Sequence, residues 1–128
     1  MTPAALRTLV AEGDTRVRQI LVWLLMHDPR FEVVGSVGTG GEAARWPGPI
    51  DAALVDMAVP GLDAFQAVRA LRERHPGIIV LIVATVDGPY FRAAAREAGA
   101  DGYVDRSSGG ANPVELLAGR CFGAEVEP

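Results

Sequence analysis

The chain has 128 residues, close to the usual size of a single domain, and 49% of them are hydrophobic. This composition excludes an intrinsically disordered chain, because enough apolar residues are present to build a core. A formal net charge of −4 and the absence of any block of Lys and Arg exclude direct binding of nucleic acid by this segment.

Neither a secretion signal nor a membrane span is predicted. The first residues lack a basic start and an uninterrupted apolar run, and the longest apolar run, Ile20 to Met26, is much shorter than the roughly 20 residues that cross a bilayer. Cys121 is the single cysteine, so no internal disulfide can form. We therefore expect a cytoplasmic protein with one domain over residues 1–128. Any output domain would lie beyond residue 128.

The first part of the chain alternates predicted strands and helices. A strand at Leu6 to Ala11 is followed by a helix at Thr15 to His27, and Asp14 stands in the N-cap position of that helix. A second strand at Phe31 to Val37 and a short helix at Gly41 to Trp46 come next. This order is typical of βαβ units.

The remaining elements continue the alternation, and several strands are apolar almost throughout, as in a parallel sheet covered on both faces. The pattern predicts a three-layer α/β fold, in which ligands bind beyond the carboxyl ends of the strands. The predicted elements are strands at Ala52 to Met57, Ile78 to Ala84 and Gly102 to Asp105, and helices at Asp63 to His75, around Phe91 to Ala98 before Gly99, and after Pro113.

Helical spacing also predicts which face of each helix is buried. In the first helix the unbroken run ILVWLLM is more apolar than one buried face requires, so we expect part of it to contact another protein surface. The residues predicted to face the sheet are Val17, Ile20, Leu21 and Leu24 in the first helix and Val114, Leu117, Ala118 and Cys121 in the fifth; those predicted to point outward are Val22, Met26, Leu116 and Phe122.

Polar side chains collect at the predicted carboxyl ends of the strands. Asp56 is the most informative, because it follows four apolar residues and precedes a Pro60-Gly61 turn. A carboxylate at such a position is costly to desolvate unless a cation or hydrogen-bond donors face it. The other residues at this edge are Glu12, Gly13, Asp14, Ala84, Thr85 and Arg106.

Three stretches of the sequence, EVVGSVGTGGEA, DAALVDMAVPGLDAFQAVRALRERHP and AGADGYV, resemble in register the receiver domain of two-component response regulators. They are most similar to receivers that precede LuxR-type DNA-binding domains. The resemblance covers essentially the whole chain and implies a flavodoxin-like (βα)5 sandwich with strand order 2-1-3-4-5. It further implies a role in phosphorelay signal transduction and transcription regulation, with Asp56 at the position of the phosphoacceptor, which forms the aspartyl phosphate, and Tyr103 at that of the aromatic switch residue.

The active-site positions depart from the family pattern. Receivers usually place two adjacent acids after the first strand, whereas this chain has Glu12 and Gly13. The ligands left for Mg²⁺ are Glu12, Asp56 and the backbone carbonyl of Met57, so any Mg²⁺ is expected to bind weakly. Asp14, the other acid of this pocket, is interpreted as a helix cap, and its use as a replacement ligand is the less favoured alternative.

Two further departures lie after the fourth and fifth strands. The usual Thr or Ser is replaced by Ala84, and the hydroxyl of Thr85 one position later is expected to point to the other face. Arg106 replaces the usual Lys with a longer, planar head group. We predict that Arg106 pairs with Asp56 or Glu12 in place of a metal.

A glycine-rich stretch offers a competing motif. Gly38, Gly40 and Ala43 match a G-x-G-x-x-A phosphate loop. That motif belongs after the first strand of a dinucleotide-binding unit, and this one follows the second. A glycine-rich turn is therefore the favoured interpretation.

The resemblance leads to a regulatory receiver with impaired Mg²⁺-dependent phosphorylation. The alternative is a pseudo-receiver that binds a small ligand or a protein partner independently of phosphate. The expected partners of the chain are a histidine kinase or another regulatory protein, a C-terminal DNA-binding output domain, and a second copy bound through the first and fifth helices. An enzyme of the haloacid dehalogenase type and a cobalamin-binding domain are both disfavoured, because Ala58 stands where they need an acid and a histidine.

Overall fold

A parallel five-stranded sheet with a layer of helices on each face forms the molecule. The computed structural model describes residues 4–108 and 112–122. The strands are β1 (Leu6–Ala11), β2 (Phe31–Val37), β3 (Ala52–Asp56), β4 (Ile79–Ala84) and β5 (Gly102–Asp105), in the order β2-β1-β3-β4-β5. The helices are α1 (Thr15–Met26), α2 (Gly40–Ala44), α3 (Ala64–Arg74), α4 (Pro89–Ala98) and α5 (Pro113–Phe122), and a 3-10 turn spans Arg106–Ser108. The predicted fold is thereby confirmed.

Alternate residues of the central strands face two separate cores, as the two-residue period of a strand requires. Leu9, Val55 and Ile82 lie in the core under α3 and α4, whereas Val10 and Leu54 lie in the core under α1 and α5. All five side chains are fully buried. Within the described residues no helix is long and apolar enough to span a membrane.

The predicted N-cap of α1 is confirmed. The Asp14 carboxylate accepts the backbone N–H groups of Arg16 at 2.9 Å and Val17 at 3.1 Å. These bonds satisfy two donors that would otherwise have no partner in the first turn of a helix. Asp14 is exposed, and its carboxylate is directed at the first turn of α1, as the interpretation as a helix cap requires.

The buried face of α1 differs from the prediction. Leu21 and Leu25 are buried, whereas Ile20, predicted to face the sheet, is 58% exposed. Val22, predicted to point outward, packs against the core. The run ILVWLLM is apolar at every position, so hydrophobicity alone does not define which side of the helix is buried.

The outward apolar face of α1 therefore has other members than predicted. Ile20, Trp23 and Met26 are 58%, 58% and 68% exposed and lie about one turn apart on one side of the helix. On α5, Phe122 is 42% exposed as predicted, but Leu116 packs partly into the core and does not point outward. We call Ile20, Trp23 and Met26 the α1 stripe.

The glycine-rich stretch allows a close approach of two backbones. A Cβ on Gly40 would lie 1.8 Å from the carbonyl oxygen of Leu62, and the Gly40 N–H donates to the carbonyl of Pro60 at 3.0 Å. Gly40 therefore holds the loop after β3 against the start of α2. The favoured interpretation as a turn agrees with this packing.

Candidate functional site

The ends of β1 and β3 bring two carboxyl groups together. Ala11 pairs with Val55 in the register of the two strands, so the next residues, Glu12 and Asp56, are neighbours at the same edge of the sheet. Glu12 is 3% exposed and Asp56 is 7% exposed. The structure thus places two acids, shielded from water, at the edge where the sequence predicts a functional site.

Few hydrogen bonds reach the two carboxyl groups. Glu12 Oε1 accepts the N–H of Asp14 at 3.1 Å, and Asp56 Oδ2 accepts the N–H of Ala58 at 2.9 Å. Glu12 Oε2 is buried and has no hydrogen-bond partner in the described part of the chain. Burying such an acceptor as a charged oxygen is costly.

Burial raises the pKa of Glu12 from its usual 4.5 to about 7. The negative charge of the nearby Asp56 raises this pKa further, while the Asp14 N–H and the charge of Arg106 act in the opposite direction. Near neutral pH a large fraction of Glu12 therefore carries a proton. One proton between two carboxyl groups relieves the repulsion that two buried charges would have.

Arg106 does not form the predicted pair. Its Nε is buried without a hydrogen-bond partner, and over residues 4–108 and 112–122 it makes no ion pair with Glu12 or Asp56. It begins the 3-10 turn after β5, and β4 separates β5 from β3, a distance of about 10 Å across the sheet. Arg106 acts on Glu12 through its charge and not through a direct contact.

Arg18 is a site residue that the sequence analysis missed. Its Nη1 donates to the backbone carbonyl of Glu12 at 2.7 Å, and its side chain is half-buried. The sequence could have indicated this role, because Arg18 lies four residues after the cap Asp14, and a helical side chain at that position points back toward the strand end. A guanidinium group is thus fixed beside the acids by a backbone contact.

A second acid after β1 would need space that the structure does not provide. A Cβ on Gly13 would lie 2.6 Å from Cδ of Pro60. Real Cβ atoms do not approach this closely, so the loop that carries Pro60 would have to move. The missing acid and the position of the proline ring are therefore coupled.

The donor set does not fit a tightly held Mg²⁺. This ion prefers octahedral coordination by oxygen atoms, and the edge supplies the side chains of Glu12 and Asp56 and the carbonyl of Met57. No group of three or more His, Cys, Asp or Glu side chains suited to a metal occurs among the described residues. A proton also competes with the metal for the Glu12 carboxylate, because burial raises the pKa of this group to about 7.

The loop after β4 follows Ala84, which stands at the position of the usual Thr or Ser. Ala84 is buried at the end of β4, and Thr85 is exposed. The next residue, Val86, is tied to β5, because the Tyr103 hydroxyl donates to its carbonyl at 2.6 Å. Arg92 lies over the Tyr103 ring at 5.1 Å and pairs with Asp87 at 2.6 Å.

A five-stranded parallel sheet of this order, with an aspartate at the end of β3 and a second acid after β1, defines the receiver class of α/β signalling domains. The family model "Response regulator receiver domain" matches residues 8–117. The chain belongs to this family, and its members act in two-component signalling.

Known proteins agree with this assignment. The chain is 29% identical over 114 residues to the response regulator GacA of Pseudomonas viridiflava, which covers 88% of this chain and 53% of GacA. A two-component response regulator of the LuxR family from Aurantimonas superposes with a TM-score of 0.80 at 27% identity, over 94% of this chain and 85% of that one. The signal receiver domain assigned to NarL of Mycobacterium tuberculosis shares the fold, with a TM-score of 0.82 at 24% identity over 98% and 100% of the two chains. The chain spans about half the length of GacA.

Proposed function

We propose that this receiver domain has Asp56 as its phosphoacceptor but undergoes Mg²⁺-dependent phosphorylation poorly. One observation carries the proposal: the second acid next to Glu12 is absent, and Pro60 closes the space in which it would stand. The missing hydroxyl at Ala84 supports it independently. The role of the domain is then regulatory and not catalytic.

The chemistry of phosphoryl transfer explains why these losses matter. When a phosphoryl group passes to a carboxylate, cations must neutralise the charge on the phosphoryl oxygens. At this edge the positive charge comes from Arg18, which is engaged with the Glu12 carbonyl, and from Arg106, which stands apart from both acids. Within the described residues neither guanidinium contacts the Asp56 carboxylate, so the phosphoryl oxygens would lack a direct cationic partner.

A labelling experiment with a small phosphodonor tests this proposal. We expect little aspartyl phosphate on the wild-type chain at millimolar Mg²⁺, and less still on Asp56→Asn. Gly13→Asp combined with Ala84→Thr should raise the rate more than either change alone, because both act on one transition state. Rapid Mg²⁺-dependent labelling of the wild type that disappears in Asp56→Asn would contradict the proposal.

The second candidate function is a pseudo-receiver that works without phosphate. The buried acid pair favours it, because a proton on Glu12 relieves its repulsion with Asp56 without a metal. Beryllofluoride with Mg²⁺ mimics the phosphorylated state of an aspartate. A melting temperature unchanged by this mixture would favour the pseudo-receiver, and a rise that Asp56→Asn abolishes would favour the phosphorylated form.

We infer the partners from the family and from the length of the relatives. The single domain over residues 1–128 would serve in the cytoplasm, receive its signal from a histidine kinase or another regulatory protein, and control a C-terminal DNA-binding output domain in the full protein. LuxR-family response regulators among the similar structures support this inference. The mass of the full-length gene product tests for the output domain.

A second copy of the chain is the partner we propose for the α1 stripe. Three large apolar side chains one turn apart, with Phe122 of α5 also exposed, form a larger apolar surface than an isolated residue does. Trp23→Lys with Met26→Glu should convert a dimer into a monomer in analytical ultracentrifugation. Tyr90→Lys, a change of another exposed aromatic residue on α4, is the matched control. A monomeric wild type would contradict self-association through this face.

A further inference from the structure

A cleft of about 330 Å³ lies at the β5 edge of the sheet, between α4 and α5. Arg92 and Arg96 of α4 and Arg120 of α5 line it, together with Asp101, Gly102 and Tyr103. We propose that this cleft binds a small phosphate monoester, with Arg96 and Arg120 as the groups that hold the phosphate.

Two of the arginines that line the cleft have no acidic partner within the described part of the chain. Neither Arg96 nor Arg120 forms an ion pair or a side-chain hydrogen bond with any residue that the structure describes. The carboxylate of Asp101 is already engaged, since it accepts from Arg72 at 2.7 Å and from the Val80 N–H at 2.8 Å. Two guanidinium groups are therefore available to an anion.

The surrounding chain makes this positive site unusual. The formal net charge of the whole chain is −4, so two uncompensated arginines in one concavity run against the average charge of the surface. They come from different helices and both line the cleft at β5, where Gly102 has no side chain. A Cβ on Gly102 would lie 2.6 Å from Cδ1 of Leu81 and would make an ordinary contact of 3.6 Å with Nε of Arg120, so close packing against Leu81 accounts for the glycine.

The size and chemistry of the cleft select the ligand. A volume of about 330 Å³ is at the lower end of small-molecule sites. Guanidinium groups bind phosphate oxygens through two parallel N–H donors, and two such groups can share the three terminal oxygens of a phosphate monoester. The cleft is apart from Asp56, so its occupation does not require phosphoryl transfer.

Chemical-shift titration of the full chain by NMR tests the proposal. The probes are inorganic phosphate, glycerol phosphate, a nucleoside monophosphate and succinate, the last as a dianion without phosphate. We expect saturable shifts at Gly102 and Tyr103 with a Kd at or below about 1 mM for a phosphate monoester, and weaker binding of succinate.

Variants separate the cleft from other cationic positions. Arg96→Ala with Arg120→Ala should weaken binding by at least about tenfold, because the two charge-assisted contacts are removed. Arg69→Ala, a change of an exposed arginine on α3 outside the cleft, should leave binding unchanged, and so should Asp56→Asn. Both arginine variants alter exposed side chains, and circular dichroism verifies their fold.

Three results would overturn the proposal. The first is the absence of saturable shifts at Gly102 and Tyr103 up to about 10 mM of every phosphate probe. The second is binding that survives the loss of both Arg96 and Arg120, or that disappears in Asp56→Asn. The third is succinate binding as tightly as the phosphate monoesters, which would show a general anion site.

Discussion

The acid pair at the strand ends and the arginine cleft above β5 both contain charges of one sign without a matching partner, but water reaches them differently. Glu12 and Asp56 are 3% and 7% exposed, whereas Arg96 and Arg120 are exposed. In the buried pair, burial raises the pKa of Glu12 to about 7, and the proton that Glu12 then binds removes the unfavourable charge. In the exposed cleft water solvates both cations at little cost. Burial therefore decides whether unpaired charge changes protonation or stays available for a ligand.

The largest expected effect concerns the buried acid pair of Glu12 and Asp56. Because the folded-state pKa of Glu12, about 7, lies above the unfolded value of 4.5, the folded chain binds the proton more tightly. Stability is therefore lost as pH rises from about 4.5 to 7, and Glu12→Gln should be more stable than the wild type at pH 8 by on the order of 3 kcal/mol. Urea unfolding at several pH values measures this difference.

The matched control for that experiment is Glu73→Gln, which changes an exposed glutamate on α3. Its stability relative to the wild type should hardly vary with pH. The advantage of Glu12→Gln should shrink toward zero near pH 4.5, where the carboxyl group is protonated in both folded and unfolded chains. If the stability difference between Glu12→Gln and the wild type stayed constant across the pH range, the effect would come from the shape of the side chain and not from its protonation.

The second effect concerns the space beside the acid pair. Gly13→Asp should cost about 1–3 kcal/mol of unfolding free energy, because its Cβ would lie 2.6 Å from Pro60 and a third carboxylate would join the site. Gly77→Asp is the control, since a Cβ there meets nothing within 4 Å. Pro60→Ala in the Gly13→Asp background should recover part of the lost unfolding free energy. If the effects of the two changes on the unfolding free energy simply added, Gly13 and Pro60 would not be coupled.

The smallest effect tests the contact between the cleft and the loop after β4. Tyr103→Phe removes the hydroxyl that donates to the Val86 carbonyl at 2.6 Å, and it should destabilise the domain by about 1 kcal/mol. Tyr90→Phe, at a position that is 76% exposed, should be neutral in the same thermal unfolding experiment. Equal effects of the two changes would mean that the Tyr103 hydroxyl contributes nothing.

The fold was predictable because local signals agreed with each other. Apolar runs separated by turn residues located all five strands, and Asp14 marked the start of α1 correctly. The buried side of α1 was not predictable, since an uninterrupted apolar run has no periodicity to read. Exposure of Ile20 follows from the packing of Leu21 and Leu25 on the sheet, which is a property of the tertiary structure.

The site was predictable in its position but not in its contacts. Parallel strands end at a common edge, which is why Glu12 and Asp56 could be placed together from the sequence. Arg106 could not be paired reliably, because a long side chain after an edge strand has many directions available. The interaction of Pro60 with Gly13 depends on loop geometry, and the placement of Arg96 and Arg120 in one cleft depends on how α4 and α5 pack beside β5.

Arg92 contacts both the cleft and the loop after β4, so binding in the cleft and the stability of the loop are linked. It lines the cleft, lies over the Tyr103 ring and pairs with Asp87 in the loop that follows Ala84. An anion that draws Arg92 away from Asp87 would loosen that loop. Linkage is reciprocal, so a change that loosens the loop, such as Asp87→Asn, would alter the affinity of the cleft by the same factor. The cleft and the loop would then report on each other without any change at Asp56.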